Sequence, residues 1–391
     1  MERMFFELIQ VSLGTREKLS RVPSDAQWEA LFDEADRQAI VGILLDGIQR
    51  LKVKDEGCVV NMSADLLLEW SWSAEMIKDQ NKHLDQQTAE VWKMLKEAGL
   101  EAVVLKGQGV ATFYGHTDIT DNTDHLVSTT NCTNDTNSLA SLRQCGDIDI
   151  WVKGGYQKVC DFVQRTAPAD DVAYHRFHYP IYEDTEVELH FRPTLMRNLF
   201  DDRKLARWYE SFGAESFVYL EEKGFAVPSA EFNRIFLLTH IYRHFLFEGV
   251  GLRQVMDLYF VLKNCPAEIK EKAEIGKTLK SFRMLRFAEA VMWVLHTQFG
   301  LEEKNLICGM NEKEGRFLLE EIMQTGNFGY DDRRYQYKRF FKLRHHIAHG
   351  SHLLLHYPSE VLWTPIWLVY HKWWKWNKKR DILRQRLKDA K

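Results

Sequence analysis

Seven residues, Gly146-Asp147-Ile148-Asp149-Ile150-Trp151-Val152, constrain this chain more than any other stretch. Successive side chains of a strand point to opposite faces, so the alternation predicts a half-buried strand with Ile148, Ile150 and Val152 toward a core. Asp147 and Asp149 then share the other face, roughly 6–7 Å apart. Two carboxylates at that spacing repel each other unless they are solvated or bridged, and a divalent cation is the natural bridge.

The rest of the sequence is read for what would complete such a site. Leu100–Leu105 predicts a buried strand, followed by Lys106-Gly107-Gln108-Gly109 and a short apolar helix from Val110 to Tyr114. Strand, glycine turn and helix start form an anion-binding geometry, because the first amides of a helix lack partners. Two glycines are a weak signal that a bland loop explains equally well. The spacing is not that of a P-loop, and the trailing lysine is missing. Phe177–Tyr182 and Glu186–Phe191 predict two strands of a hairpin around Glu183-Asp184-Thr185. On the second, Glu186, Glu188, His190 and Arg192 share one face, so pairing beside the acidic strand would bring Glu188 to Asp147 and Asp149 as a third carboxylate.

The flanks read as helical. Residues 1–98 form an amino-terminal helical region that includes a long helix over 63–98. Its apolar seven-residue repeat is interrupted at Asn81 and Thr88. Residues 99–227 carry the small core, with a polar insert over 115–141 whose composition cannot bury a core and suits a flexible loop. A glycosylation sequon in it, Asn131-Cys132-Thr133, is read as chance. Residues 228–391 form a carboxy-terminal helical domain, with helices expected over 231–247, from 252, and over about 276–299, 311–325 and 333–348. His240 and His244 lie one turn apart, but the glutamate of a zinc protease motif is absent between them. They read as histidines at a domain seam, or as phosphate or acceptor ligands with Arg243 and Arg253. The run from Leu362 to Trp376, closed by Lys378-Lys379-Arg380, suits packing on the helical domain, a membrane surface or a partner.

Composition narrows the class. An apolar fraction of 45% is that of a folded protein, and a net charge of −4 provides no global field for nucleic acid. Six scattered cysteines form no zinc ribbon or disulfide framework. The first residues lack the apolar run of a signal peptide, and no stretch reaches the ~20 apolar residues of a membrane span. A cytoplasmic protein is expected.

Leu105-Lys106-Gly107, Arg143 through Val152, and Val187-Glu188-Leu189-His190-Phe191-Arg192 together resemble the uncharacterised bacterial nucleotidyltransferase family, within the polymerase-beta-like nucleotidyltransferase superfamily. Gly251 through Leu258 resembles its helical region. The resemblance implies an α+β fold, a small mixed β-sheet nucleotidyltransferase core with flanking helices. It implies an enzyme that moves a nucleoside monophosphate from an NTP, expected to be ATP, to a hydroxyl acceptor and releases pyrophosphate. Two Mg2+ ions would be held by Asp147, Asp149 and Glu188, with Glu188 also assisting deprotonation of the acceptor. Lys106, Gly107, Gln108, Arg143 and Gly146 would hold the nucleotide. His190, Arg192, His240, Arg243, His244 and Arg253 would contact the substrate, a small molecule or a protein hydroxyl rather than nucleic acid. Gln108 stands where the superfamily pattern has serine, and the polar insert is longer than usual. Two other classes share the features: a non-catalytic binding protein that keeps the fold, and a nucleotide-sugar glycosyltransferase with an Asp-x-Asp metal site. The helical residues 1–98 oppose the second.

Overall fold

A computed structural model describes residues 2–54, 62–115, 139–329 and 352–389. The helix expected over 333–348, the sequon and most of the polar insert lie outside the described residues.

The centre is a four-stranded sheet in the order β1-β2-β4-β3, built from β1 (Ala102–Val104), β2 (Ile148–Val152), β3 (Arg176–His178) and β4 (Val187–His190). β1 runs antiparallel to β2, β2 parallel to β4, and β3 antiparallel to β4. The parallel pair sets Asp149 opposite Glu188 and Trp151 opposite His190. The predicted hairpin is present with a longer loop, because its first strand starts at Arg176 and ends at His178 rather than at Tyr182.

The acidic strand differs from its prediction in two ways. It begins at Ile148, so Asp147 precedes it, and all five of its residues are buried. The alternation therefore separates an apolar from a polar face, but the polar face is covered too. The cover is the helix Ala230–Phe247, whose stripe Phe232, Phe236, His240, His244 repeats at one-turn intervals. Phe232 stacks on Trp151 with ring centroids 5.6 Å apart. Further along, Phe236 stacks on His240 and His240 meets His244 edge-on. The helix thus changes from aromatic to imidazole along one stripe.

Around this centre the helices follow the apolar periodicity closely. Ala64–Glu97 is one helix, capped by the Ser63 hydroxyl, and buries Asn81 and Thr88 with its apolar seam. Leu252–Asn264 follows the Gly249–Gly251 break, and Glu312–Thr325 is the helix expected near 311. The segment expected as one helix over 276–299 is two, Ile269–Ser281 and Leu285–Phe299. The chain turns between them at Phe282-Arg283-Met284, with Arg283 at φ 58°. A second hairpin, Phe217–Leu220 with Phe225–Pro228, packs on β1 and was not expected. Its apolar runs flank Lys223-Gly224, where Gly224 takes a positive φ. The amino-terminal helix Glu2–Ser12 packs on Leu285–Phe299, so both helical flanks join one continuous apolar core.

The aromatic-basic carboxy-terminal stretch is a single helix, Pro358–Asp389. It packs on the sheet region as well as on helices: Trp374 lies 5.2 Å from Tyr174 and stacks on Phe191 at 6.2 Å. Glu360 fixes its start by accepting from the backbone N–H groups of Arg197 and Asn198 at 2.7 and 3.2 Å. No helix among the described residues is long and apolar enough to cross a membrane.

Candidate functional site

The glycine turn reaches the acidic strand through backbone geometry. Leu105 N–H donates to the Asp149 carbonyl at 2.9 Å, extending the β1–β2 ladder by one residue. Gly107 then turns with φ 51°, and a Cβ there would lie 3.4 Å from the Asp147 carbonyl. Gly109 has a different reason: a Cβ would come within 2.4 Å of the Val104 carbonyl. The two glycines let the chain turn tightly over the sheet edge, and the turn places Lys106 Nζ 2.8 Å from Asp149 Oδ1.

Asp149, Glu188 and His190 form the one group of three metal-ligating side chains found among the described residues, with ligand atoms within 4.8 Å of one another. All three are buried. His190 Nε2 lies 2.8 Å from Asp149 Oδ1 and 3.2 Å from Glu188 Oε2. A neutral ring must therefore carry its proton on Nε2. Arg176 pairs with Glu188. Burial alone would raise the Asp149 carboxyl, but the Lys106 ammonium and the His190 ring hold it well below the usual carboxylate range. Burial lowers His190 against the pull of Asp149, so the ring is neutral at pH 7.

The network is incomplete at two atoms. Asp149 Oδ2 and His190 Nδ1 are buried and have no hydrogen-bond partner among the described residues. A buried, ionised carboxylate oxygen without a partner is costly, and a bound cation removes that cost. Two carboxylates present the hard oxygen donors that a divalent cation such as Mg2+ takes. The residues present fit such an ion.

A second tier surrounds this core. His175 and His190 rings lie 5.3 Å apart, and Arg243 Nη1 donates to His175 Nε2 at 3.1 Å. Arg243 also bonds both Glu248 oxygens at 3.0 Å. Burial and Arg243 push His175 well below the ordinary histidine range; burial and His244 do the same for His240. Burial and Arg243 lower His244. The tier is a set of neutral imidazoles beside one guanidinium.

The sequence-predicted residues divide accordingly. Lys106, Asp149, Glu188 and His190 meet, and His240, Arg243 and His244 approach them from the covering helix. Asp147 is not one of the clustered ligands; it lies just ahead of β2, half-buried and within electrostatic reach of Arg253. Gly146 beside it is exposed. Gln108 turns away, donating to the Asn81 carbonyl and to Asp85 in the long helix.

Two expectations need correction. Arg143, expected to neutralise phosphate charge, is buried and forms a two-pronged pair with Asp257, Nε to Oδ1 and Nη2 to Oδ2, both at 2.7 Å. Its fork is already filled, and Asn81 holds its carbonyl at 2.8 Å. Arg192, expected on the Glu188 face, pairs with Asp202 at 3.0 Å instead. It lines a separate cleft of about 520 Å³ with Tyr174, Phe191 and Trp374, because β4 ends at His190 and the alternation stops there. Arg253 donates to the Gln144 carbonyl at 2.7 Å and so holds the approach to β2. His175 and Arg176 were missed. The signal was available: Arg176 and His178 flank Phe177 and extend the alternation one step earlier.

A family model described as an uncharacterised nucleotidyltransferase matches residues 24–124 and 138–300, more than half of the chain. No curated protein and no solved structure matches it.

Proposed function

The chain belongs to the uncharacterised nucleotidyltransferase family, and from that premise we propose that it is a divalent-metal-dependent enzyme of the polymerase-beta-like kind, transferring a nucleoside monophosphate from an NTP to a hydroxyl acceptor. The observation that carries the reading is the buried Asp149 oxygen that has no partner among the described residues, beside Glu188 on the paired strand. Asp149 and Glu188 would hold Mg2+, with Asp147, one residue ahead of β2, as the third carboxylate. The metal, when bound, supplies Lewis-acid stabilisation of charge on the attacking and leaving oxygens.

The protein's own groups have separable tasks. His190, protonated on Nε2, orients both carboxylates by bonding one oxygen of each. Lys106 is the point charge closest to the ligands and the cation that a nucleotide phosphate would meet. Glu188, on the strand paired with β2, would take the proton of an acceptor hydroxyl beneath the covering helix. Arg243 with His175, His240 and His244 offers hydrogen-bond donors to a phosphate or acceptor entering past that helix.

A second reading, nucleotide binding without transfer, rests on Gln108, whose side chain is committed to the long helix where the superfamily pattern has a phosphate-holding serine. One experiment separates the two. Purified protein is incubated with each α-labelled NTP, Mg2+ and a cell-extract metabolite fraction. Label transfer with pyrophosphate release supports the enzyme. Metal-dependent binding by calorimetry without release supports the second reading, and absence of both overturns the assignment.

A further inference from the structure

The helix Pro358–Asp389 has two apolar faces. One, carrying Trp367 and Trp374, packs on Tyr174 and Phe191. The other carries Leu362, Ile366, Val369, Trp373 and Trp376 at alternating spacings of four and three. After Arg380 the same rhythm resumes at Leu383 and Leu387. Each of these seven side chains is between 54% and 71% exposed. A surface helix normally exposes its polar face, so a continuous apolar seam facing away from the body calls for an occupant.

Charge and residue type identify it. The helix holds eight Lys or Arg against three Asp or Glu, in a chain whose net charge is −4. One of the three acids, Glu360, is buried in the body. Lys372, Lys379 and Arg386 repeat every seven residues along one flank of the seam, all exposed, although Lys379 also reaches Asp170 at 3.3 Å. The other flank is Tyr370, Asn377 and Arg384. Two copies joined along this seam would have no acid to pair with these cations and would set Arg380 into the contact, which disfavours a coiled coil. Exposed tryptophans between aliphatic residues and basic flanks are the pattern of a helix that lies in a lipid interface, with its cations toward anionic headgroups. It does not span, since no helix among the described residues is long and apolar enough.

We propose that this seam docks the protein, through a helix lying flat, on a lipid surface bearing anionic headgroups. This goes beyond the transferase reading and does not depend on it.

The test is co-sedimentation of the full chain with phosphatidylcholine vesicles, with and without phosphatidylserine, read together with tryptophan emission. Binding to the anionic vesicles at least about tenfold tighter, weakened by salt, is expected. A blue shift and quenching by brominated acyl chains should accompany it. Val369→Glu and Trp373→Glu should abolish both signals with unchanged circular dichroism, since both side chains are exposed. Three results overturn the proposal: protein that stays in the supernatant with anionic vesicles, pelleting that the seam substitutions leave intact, and a solution dimer that Val369→Glu dissociates. The first points to a protein partner, the third to a second copy.

Discussion

Two buried carboxylates sit near the sheet, and each faces a cation, yet only one of them is complete. Asp257 accepts from Arg143 through both oxygens, and Tyr114 Oη adds a third bond to Oδ1 at 2.6 Å. Nothing at that carboxylate is left over, and the cluster ties the approach to β2 onto the helix Leu252–Asn264. Asp149 has Lys106 and His190 on one oxygen, and its other oxygen is buried with no partner among the described residues. A fully satisfied polar network fixes a fold; a partly satisfied one leaves an acceptor over for a ligand. Part of the difference is residue type: the Arg143 fork fills both oxygens of Asp257, whereas Lys106 and His190 both meet one oxygen of Asp149, and no donor among the described residues reaches the other.

The largest effect that would break this comparison is chemical. Asp149→Asn should lower nucleotidyl transfer by about 10³-fold or more, the scale of losing preorganised charge stabilisation, while the variant stays folded. Asp257→Asn should do the reverse. Removing one partner of a buried pair costs about 3–5 kcal/mol, visible as a lower denaturation midpoint, and the activity of the fraction still folded should stay within a few-fold of wild type. If Asp257→Asn proved stable and inactive, the division between the two clusters would be misdrawn.

A smaller effect sharpens how the open site is built. Gly109→Ala would force a methyl group against the Val104 carbonyl and should cost about 1–3 kcal/mol. Because the turn carries Lys106, metal-dependent nucleotide binding should weaken along with stability. An Ala variant with wild-type stability and binding would contradict the close approach.

The smallest effect concerns a third carboxylate. Glu360 is satisfied by two backbone N–H groups, but burial dominates and pushes its pKa up to about 7. Its folded value lies above its unfolded one, so its contribution to stability is fully present below the ordinary carboxylate range and is lost as pH rises through about 7. Asp149 is shifted down and has the opposite sign: its contribution is present above the ordinary carboxylate range and is lost only as pH falls below it. Chemical denaturation at a series of pH values should therefore show wild-type stability declining toward pH 8, and Glu360→Gln should flatten that decline.

Much of this was legible in the sequence because period and polarity coincide. The alternation at Ile148–Val152 located the central strand, and the shared face of Glu188 and His190 on β4 anticipated the side chains that meet Asp149. The helices announced themselves through caps and breaks, such as Ser63 and the Gly249–Gly251 turn. What was not legible depends on contacts between distant residues. Arg143 and Asp257 are 114 positions apart, and no spacing rule pairs them. Arg192 looked like part of the polar face because strand alternation was carried two residues past the end of β4. Asp147 looked equivalent to Asp149, but the strand begins one residue after it. The covering helix, which turns a half-exposed face into a buried one, has its imidazoles on the same stripe as its phenylalanines, so its periodicity alone does not reveal the site beneath.

Metal held by the partly satisfied Asp149–Glu188 pair, as proposed, should be visible in a single titration. Wild type, Asp149→Asn and Glu188→Gln are titrated with Mg2+ or Mn2+ in the presence of α-labelled ATP, following bound nucleotide and released pyrophosphate together. Metal-dependent binding and release by wild type, and loss of release in both folded variants, are expected. Pyrophosphate release by Asp149→Asn at the wild-type rate would contradict the proposed metal site.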